Sequence, residues 1–161
     1  MLVSTFDTLP EDEVRVVLAQ VCSSPQWVRR LVLSRPHATR ATLVARSDAA
    51  LADLPEDEID RALAGHPRIG ERSGHASSRR EQAGVAAADP QVLAALAEGN
   101  RAYEDRFGHV YLVCANGRPA EELLAVLRAR LSNDPAAERR VLREELRRIN
   151  RLRLEHLLED A

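Results

Sequence analysis

The stretch NDPAAERRVLREELRRINRLRLEHLL, residues 133–158, predicts a long final helix and indicates the fold class. Asn133 and Asp134 favour a turn, and Pro135 fits the first turn of a helix. From there to about Leu158, apolar residues return every three or four positions. Only 3% of the chain is aromatic, so the core is built mainly from aliphatic side chains. Such a core fits helices better than a sandwich or a barrel.

The same helix signals recur through the rest of the chain. Apolar residues at helical spacing follow five expected starts, at Ser24-Pro25, Thr39, Pro55, Asp89-Pro90 and Pro119. Thr8 and Glu11 have the spacing of a capping box in front of one further helix. Gly65 is expected to end the helix that follows Pro55.

One stretch has a different character. FGHVYLVCANG, residues 107–117, is rich in residues that favour strands and ends in an Asn-Gly turn signal. We predict a short extended segment near 108–115. The whole chain, 1–161, is then expected to form a single-domain, all-α, helical bundle-like fold.

Composition and charge narrow the classes of function. The chain has 161 residues, which suits one domain, and 45% hydrophobic with 30% charged residues is typical of a globular protein. The formal net charge is −2, and all 23 basic residues are arginines interspersed with acids, which argues against a nucleic-acid-binding protein. No apolar run approaches the roughly 20 residues that cross a membrane. With no signal-peptide pattern and only two cysteines, we expect a cytoplasmic protein.

The break between two predicted helices holds the first candidate for chemistry. The stretch GHPRIGERSG, residues 65–74, places His66 before Pro67, and Gly70 permits a sharp turn. Histidine is the side chain best suited to proton transfer near neutral pH. The alternative is that His66 only binds the last carbonyl groups of the preceding helix. Residue type alone leaves both interpretations open.

A second candidate group lies in SSRREQAG, residues 77–84. If a helix begins near Ser78, then Glu81 and Gln82 lie three and four positions further on and share its side. That face would offer a hydroxyl, a carboxylate and an amide, and an amide both donates to and accepts from a urea-like group. The competing interpretation is a capping box, in which Ser78 and Glu81 only begin the helix.

Arg153 is the third candidate because of its place on the wheel of the final helix. At about 100° per residue, it falls within about 40° of Leu146 and Ile149, on the apolar stripe, whereas Arg151 lies about 160° away. An arginine on a core-facing stripe is costly unless it is paired or lines a cavity. In a cavity it would bind a carboxylate through paired donors. Alternatively it reaches the rim of the core or pairs with a buried acid.

Metal chemistry is the weakest possibility. A metal site could combine Glu71 with three histidines: His66, His75 and His109. No HExxH-like spacing places any of them together on one helix, so only the tertiary fold could bring them together. No glycine-rich phosphate-binding loop is present in the sequence either. We therefore expect no metal site.

Four motifs, taken in order, carry a resemblance to a known family. They are HPRIGE at 66–71, SSRREQAGV at 77–85, NRAYEDRFGHVYLVCANGR at 100–118 and EELRRINRLRLEHLL at 144–158. Together they resemble the 2-oxo-4-hydroxy-4-carboxy-5-ureidoimidazoline (OHCU) decarboxylase family of urate breakdown. The opening FDTLP and the stretch VCSSPQWVRRLVLSRP are also similar to that family, so the resemblance covers nearly the whole chain.

The resemblance implies an all-helical enzyme, usually a homodimer, that converts OHCU to (S)-allantoin and CO2. It implies that His66 is catalytic, with Pro67 beside it in the site, and that the family arginine of the last helix falls on Arg153. The family's S-x-x-E-Q pattern falls on three positions: Ser78, Glu81 and Gln82. Its ligand-contacting main-chain segment maps to about 110–115, where we name three residues: Val110, Leu112 and Val113.

The chemistry of OHCU suits these residue types. The substrate carries a hydroxyl group and a carboxylate on one ring carbon, next to a carbon–nitrogen double bond. Loss of CO2 leaves an electron pair that this double bond accepts, so the substrate supplies its own electron sink and we expect no cofactor. We predict that His66 takes the hydroxyl proton as general base. Glu81, the second catalytic candidate, would orient His66 or an N–H group of the substrate.

Two other interpretations stay open at this point. One is a non-catalytic helical interaction module, which accounts for the helices but not for three polar groups that converge under the family resemblance. The other is an enzyme on the same scaffold that acts on a related ureido or imidazoline acid. The presence or absence of faster allantoin formation separates the module from the enzyme.

Overall fold

The computed structural model describes residues 1–71 and 74–160. Within these ranges the chain forms ten helices and no strand, apart from one isolated parallel bridge between Leu2 and Glu159. The helices are α1 (Val3–Thr8), α2 (Glu11–Val21), α3 (Pro25–Leu33), α4 (Arg40–Ala52), α5 (Glu56–Leu63), α6 (Ala76–Glu81), α7 (Ala83–Ala86), α8 (Pro90–Phe107), α9 (Ala120–Arg130) and α10 (Pro135–Leu157). The all-α fold predicted from the sequence is confirmed.

Three helix starts expected from the sequence are confirmed by side-chain caps. The side chains of Ser24, Thr39 and Asp89 each accept a hydrogen bond from a main-chain N–H two or three residues further on. Each bond satisfies one of the N–H groups that a helix leaves without a helical partner at its first turn. The expected starts at Pro55 and Pro119 are also confirmed, since these residues directly precede α5 and α9.

The capping box expected at Thr8 and Glu11 is wrong. Thr8 is the last residue of α1, a helix that the sequence pattern did not predict. Its hydroxyl donates back to the main-chain oxygen of Thr5, at 2.9 Å. Helix α2 begins at Glu11, directly after Pro10, with no side-chain cap. The hydroxyl group of Thr8 therefore bonds within α1 and does not cap α2.

The chain divides into two compact units. One comprises Met1–Gly65 together with the last part of the chain from Arg147, and the other comprises His66–Leu146. In the first unit α2 packs on α3 and α3 packs on α4. Trp27 is fully buried there, and its ring N–H donates to the main-chain oxygen of Ser47 at 3.3 Å. The assignment of the chain as a single domain stays a prediction.

The second unit is built around the pair α8 and α9. Its core is a cluster of buried apolar side chains: Ile69, Val85, Leu96, Tyr103, Tyr111, Val113, Ala115, Ala120, Leu123, Leu124 and Leu127. Helix α8 ends at Phe107 and is followed by Gly108, which adopts a left-handed φ of 76°. Residues 110–115 then cross the unit without forming helix or strand. The core thus includes residues of this segment and Ile69 of the loop that begins at His66.

Candidate active site

The loop that starts at His66 opens the second unit. Helix α5 ends at Leu63, two residues before Gly65, and His66 and Pro67 are both half-buried. Ile69 anchors the loop, since it is only 5% exposed in the core cluster. The next residue, Gly70, has a φ of +92°, a conformation that residues with a Cβ rarely adopt. The sharp turn expected at Gly70 is therefore present.

Ser78 and Glu81 lie within α6, not at its beginning. The helix starts at Ala76 after His75, so Ser78 is already its third residue and is 2% exposed. Glu81 is the last residue of the helix and is half-buried. A capping box requires the serine to precede the first helical residue. The capping interpretation of these two residues is therefore wrong, and both stay candidates for the site.

Gln82 joins α6 to the loop of His66. Its Oε1 accepts a hydrogen bond from the main-chain N–H of Gly70 at 3.0 Å, and its Nε2 donates to the main-chain oxygen of Arg68 at 3.4 Å. An amide has two N–H donors and a carbonyl oxygen with two lone pairs, so these bonds use half of its capacity. The second unit thus brings Gln82 together with the loop that carries His66 and Pro67.

Gly84, two residues after Gln82, permits a close contact between two main-chain segments. A Cβ at Gly84 would lie 2.6 Å from the main-chain oxygen of Arg118. That distance is far inside van der Waals contact, so the main chain of α7 approaches residue 118 as only glycine allows. The approach holds α7 against the main chain that follows the 110–115 segment.

The 110–115 segment is fixed through its main-chain groups. The oxygen of Leu112 accepts from Arg130 NH1 at 2.7 Å, and the N–H of Cys114 donates to Glu145 Oε2 at 2.8 Å. The side chains of Leu112 and Val113 are buried, and Val110 is half-buried. Any ligand contact of this segment would therefore be made chiefly by main-chain atoms, as the resemblance implies.

Arg130, which the sequence analysis did not single out, is the buried support of this segment. It forms an ion pair with Glu138, whose carboxylate also accepts from the hydroxyl of Tyr103. Burial disfavours the charged guanidinium, but the carboxylate of Glu138 outweighs that effect and raises the pKa of Arg130. Burial, together with the bond to Glu138, also raises the pKa of Tyr103. The sequence could have indicated this buried arginine, because on a helical wheel of α9 Arg130 falls on the same stripe as Leu123 and Leu127.

Arg153 belongs to the first unit. It is half-buried, and its NH1 donates to the main-chain oxygen of Val21, the last residue of α2, at 3.1 Å. Burial raises the pKa of the neighbouring Cys22 thiol, and the charge of Arg153 acts in the opposite direction. Arg151 is different: it is exposed and pairs with Asp48 at 2.7 Å. Arg153 thus faces the interior of its unit and Arg151 faces solvent, as the helical wheel predicts.

The loop and α8 also line a cavity of about 250 Å³. Arg68, Gly70, Asn100 and Glu104 contribute to its wall. None of the predicted site residues lies among its lining residues. The cavity therefore shares the loop with the predicted site residues but is not lined by them.

The described part of the chain has neither a cluster of metal-ligating side chains nor a helix that could span a membrane. No group of three or more histidine, cysteine, aspartate or glutamate side chains is placed to hold a metal ion among residues 1–71 and 74–160. Among the helices of those residues, none combines the length and the apolar character needed to cross a membrane.

Comparison with known proteins identifies relatives along almost the whole chain. A protein from Amia calva, 2-oxo-4-hydroxy-4-carboxy-5-ureidoimidazoline decarboxylase, is 30% identical over 132 residues, which cover 78% of this chain and 75% of that protein. The Uric acid degradation bifunctional protein TTL of Arabidopsis thaliana is 26% identical over 93% of this chain. The chain spans only 48% of the length of that relative.

Solved structures agree with the sequence relatives. A crystal structure of OHCU decarboxylase in the presence of (S)-allantoin has a TM-score of 0.79 and 26% identity, with 92% of this chain and 98% of that chain covered. A crystal structure of (S)-allantoin synthase has a TM-score of 0.77 at 20% identity, covering 98% of this chain and 54% of that chain, and indicates the shared fold alone. The family model of OHCU decarboxylase matches residues 7–155. Because that match spans nearly all of its length, the chain belongs to the OHCU decarboxylase family.

Proposed function

We propose that this chain converts OHCU to (S)-allantoin and CO2 in the breakdown of urate. The observation that carries the proposal is the family match over residues 7–155. Its motifs fall on the loop of His66 and on α6, where Gln82 binds the main chain of the loop. The proposed substrate is therefore a small ureido acid, held by polar side chains and main-chain groups.

The reaction needs one base and one binding site for an anion. His66 takes the proton of the substrate hydroxyl group as the bond between the ring carbon and the carboxylate breaks. The electron pair of that bond passes into the adjacent carbon–nitrogen double bond, and CO2 leaves. The ring nitrogen that gains these electrons takes up a proton from solvent. The deprotonated hydroxyl oxygen becomes a carbonyl oxygen as the neighbouring ring carbon receives the proton that His66 had taken or its equivalent, which gives allantoin. Since the electrons stay within the substrate, the proposed reaction uses neither a metal nor a cofactor.

Residues of α6 and its end recognise the polar groups of the substrate. Glu81 accepts a hydrogen bond from the ring of His66 or from an N–H of the substrate, and so orients one of them. Ser78 and Gln82 bind ureido and ring groups, for which an amide offers both a donor and an acceptor. Pro67 forms part of the binding surface beside His66.

Arg153 and the 110–115 segment complete the proposed binding groups. The planar guanidinium of Arg153 binds anionic oxygen through paired N–H donors. Main-chain atoms of three residues bind uncharged polar groups of the substrate: Val110, Leu112 and Val113. Following the resemblance to the family, we further propose that the protein is a cytoplasmic homodimer with one domain over residues 1–161.

Carbon-13 NMR tests the proposed reaction through both of its products. OHCU labelled at its carboxylate carbon is mixed with the purified protein, and the label is followed. The proposal expects the label to appear as CO2 and bicarbonate at the rate at which unlabelled allantoin forms, and faster than in buffer. Label that is retained in a ureido acid, or release at the buffer rate, would contradict it.

A further inference from the structure

Two side chains hold the main chain that follows Pro67. Gln82 bonds to the main chain of Arg68 and of Gly70, as described above. Between them, the main-chain oxygen of Ile69 accepts a hydrogen bond from Asn100 Nδ2 at 2.9 Å. Three successive residues of the loop are thus tied by side-chain amides, one from the end of α6 and one from α8.

The Asn100 amide is not well explained by stability alone. The residue is 3% exposed, and its Oδ1 has no hydrogen-bond partner among the protein groups that the structure describes. A buried polar atom without a hydrogen-bond partner destabilises the folded state. The gain from the bond to Ile69 is of similar size, so the two effects largely offset each other. Asn100 also lies on the apolar stripe of α8, about 40° from Leu96, where a leucine would fit the pattern.

We propose that Asn100 is a positioning residue for His66. This inference rests on the proposed function, because it assigns to His66 the role of base. Proline fixes its own φ and restricts the residue before it to extended conformations. His66 and Pro67 therefore form a stiff dipeptide. A shift of the main chain at Ile69 moves the imidazole with it, and Asn100 limits that shift.

Helix α8 is a suitable support for this task. It has 18 residues and packs on α9 in the core of the second unit. One turn after Asn100, Glu104 binds the side chain of Arg68 through two bonds of 2.6 and 3.2 Å. The Arg68 side chain is 48% exposed, so this ion pair is screened by solvent. The buried bond of Asn100 to the main chain is the more rigid of the two contacts.

The test compares Asn100→Leu with Leu96→Met. Leucine has nearly the size of asparagine but no amide, whereas Leu96 lies one turn earlier on α8 and makes no polar contact. We expect Asn100→Leu to lower the melting temperature by no more than several degrees, because the cost of taking the donor from the main-chain oxygen of Ile69 is partly offset by removal of the unpaired Oδ1. Its kcat for OHCU should fall about tenfold or more, with KM changed less than about twofold, because a small displacement of a catalytic group costs mainly turnover. Leu96→Met should change neither constant.

Amide exchange of Gly70 gives a second measurement that does not depend on activity. We expect its N–H to exchange faster in Asn100→Leu than in the native protein and in Leu96→Met, because the loop is less restrained. Unchanged exchange together with unchanged kcat would overturn the positioning role. A fall in kcat that matches a loss of stability, and that Leu96→Met shares, would overturn it as well. If the native protein shows no decarboxylation, the proposed function fails, and the exchange rates still decide whether Asn100 holds the loop.

Discussion

Arg153 and Val21 are joined by a hydrogen bond of 3.1 Å, from the guanidinium to the last residue of α2. Carbonyl groups at the end of a helix lack helical partners and carry partial negative charge, so a cation there is favourable. This contact is one reason why an arginine is tolerated on the apolar stripe of α10. It also fixes the position of one edge of the planar guanidinium.

The first prediction concerns the shape of the Arg153 side chain. Arg153→Lys keeps the positive charge but loses the planar, paired donors, and this exchange is not conservative where an anion is bound through two bonds. We expect a severe rise in KM or a severe fall in kcat for OHCU. Steady-state kinetics measure KM and kcat. Melting curves are needed beside them, because the bond to Val21 also contributes to folding and its loss could lower activity indirectly.

Arg151→Lys is the matched control on the same helix. Arg151 is 44% exposed and pairs with Asp48 at the surface, where an ion pair contributes about 0–1 kcal/mol. Its replacement by lysine should leave the kinetics unchanged. A structure with (S)-allantoin bound gives the direct answer. Arg153 beyond hydrogen-bond distance of the ligand would show that another residue, such as Arg68, binds the anion.

The second prediction concerns His66. His66→Asn removes the proposed base from a half-buried loop position, where truncation leaves little cavity. We expect turnover to fall by about 10²–10⁴-fold, the usual contribution of general base catalysis, with nearly unchanged melting and helix content. Kinetics, thermal melting and far-ultraviolet circular dichroism measure the three quantities. Turnover within about tenfold of the native protein would exclude His66 as the base.

The third prediction separates charge from structure at Glu81. Glu81→Gln keeps the size and hydrogen-bonding ability of the side chain but removes its negative charge. Because glutamine keeps the length and hydrogen-bonding groups of the side chain at the end of α6, we expect a stability change below about 1 kcal/mol and a large fall in turnover. Glu98→Gln, at an exposed position of α8, is the control and should affect neither. A loss of stability with unchanged turnover would assign Glu81 a structural role only.

The fourth prediction concerns metal ions. The proposed reaction keeps its electrons within the substrate, so exhaustive treatment with EDTA should leave the rate of OHCU decarboxylation unchanged. The rate is measured before chelation, after chelation and after the addition of single divalent metals. Activity that is lost and then restored by one metal would contradict the proposed mechanism.

The sequence predicted most helices because their start signals are local. Ser24, Thr39 and Asp89 cap helices within two or three residues of themselves, so no knowledge of packing is needed. The capping boxes at Thr8 and Ser78 failed for the opposite reason. In each case the helix boundary lies elsewhere than the motif implies, and a pattern of four residues does not contain that information.

The candidate site was predictable only where a residue stands out by type or by position on a helical wheel. His66 stands in a break, and Arg153 interrupts an apolar stripe. Arg130 and Asn100 carry the same signal on α9 and α8, and a wheel of those helices finds them. Their partners do not follow from the wheel. The bonds to Leu112 and to Ile69 join residues 18 and 31 positions apart and depend on the packed core.

Formation of (S)-allantoin from freshly generated OHCU, followed by circular dichroism, tests the proposed decarboxylation together with its stereochemistry. Once CO2 has left, the ring intermediate has no stereocentre, so protonation in solution gives both enantiomers equally. We expect a dichroic signal of the S enantiomer that rises faster than allantoin forms in buffer, in proportion to protein concentration, and that His66→Asn abolishes. Racemic product formed at the buffer rate would show that the protein does not catalyse this reaction.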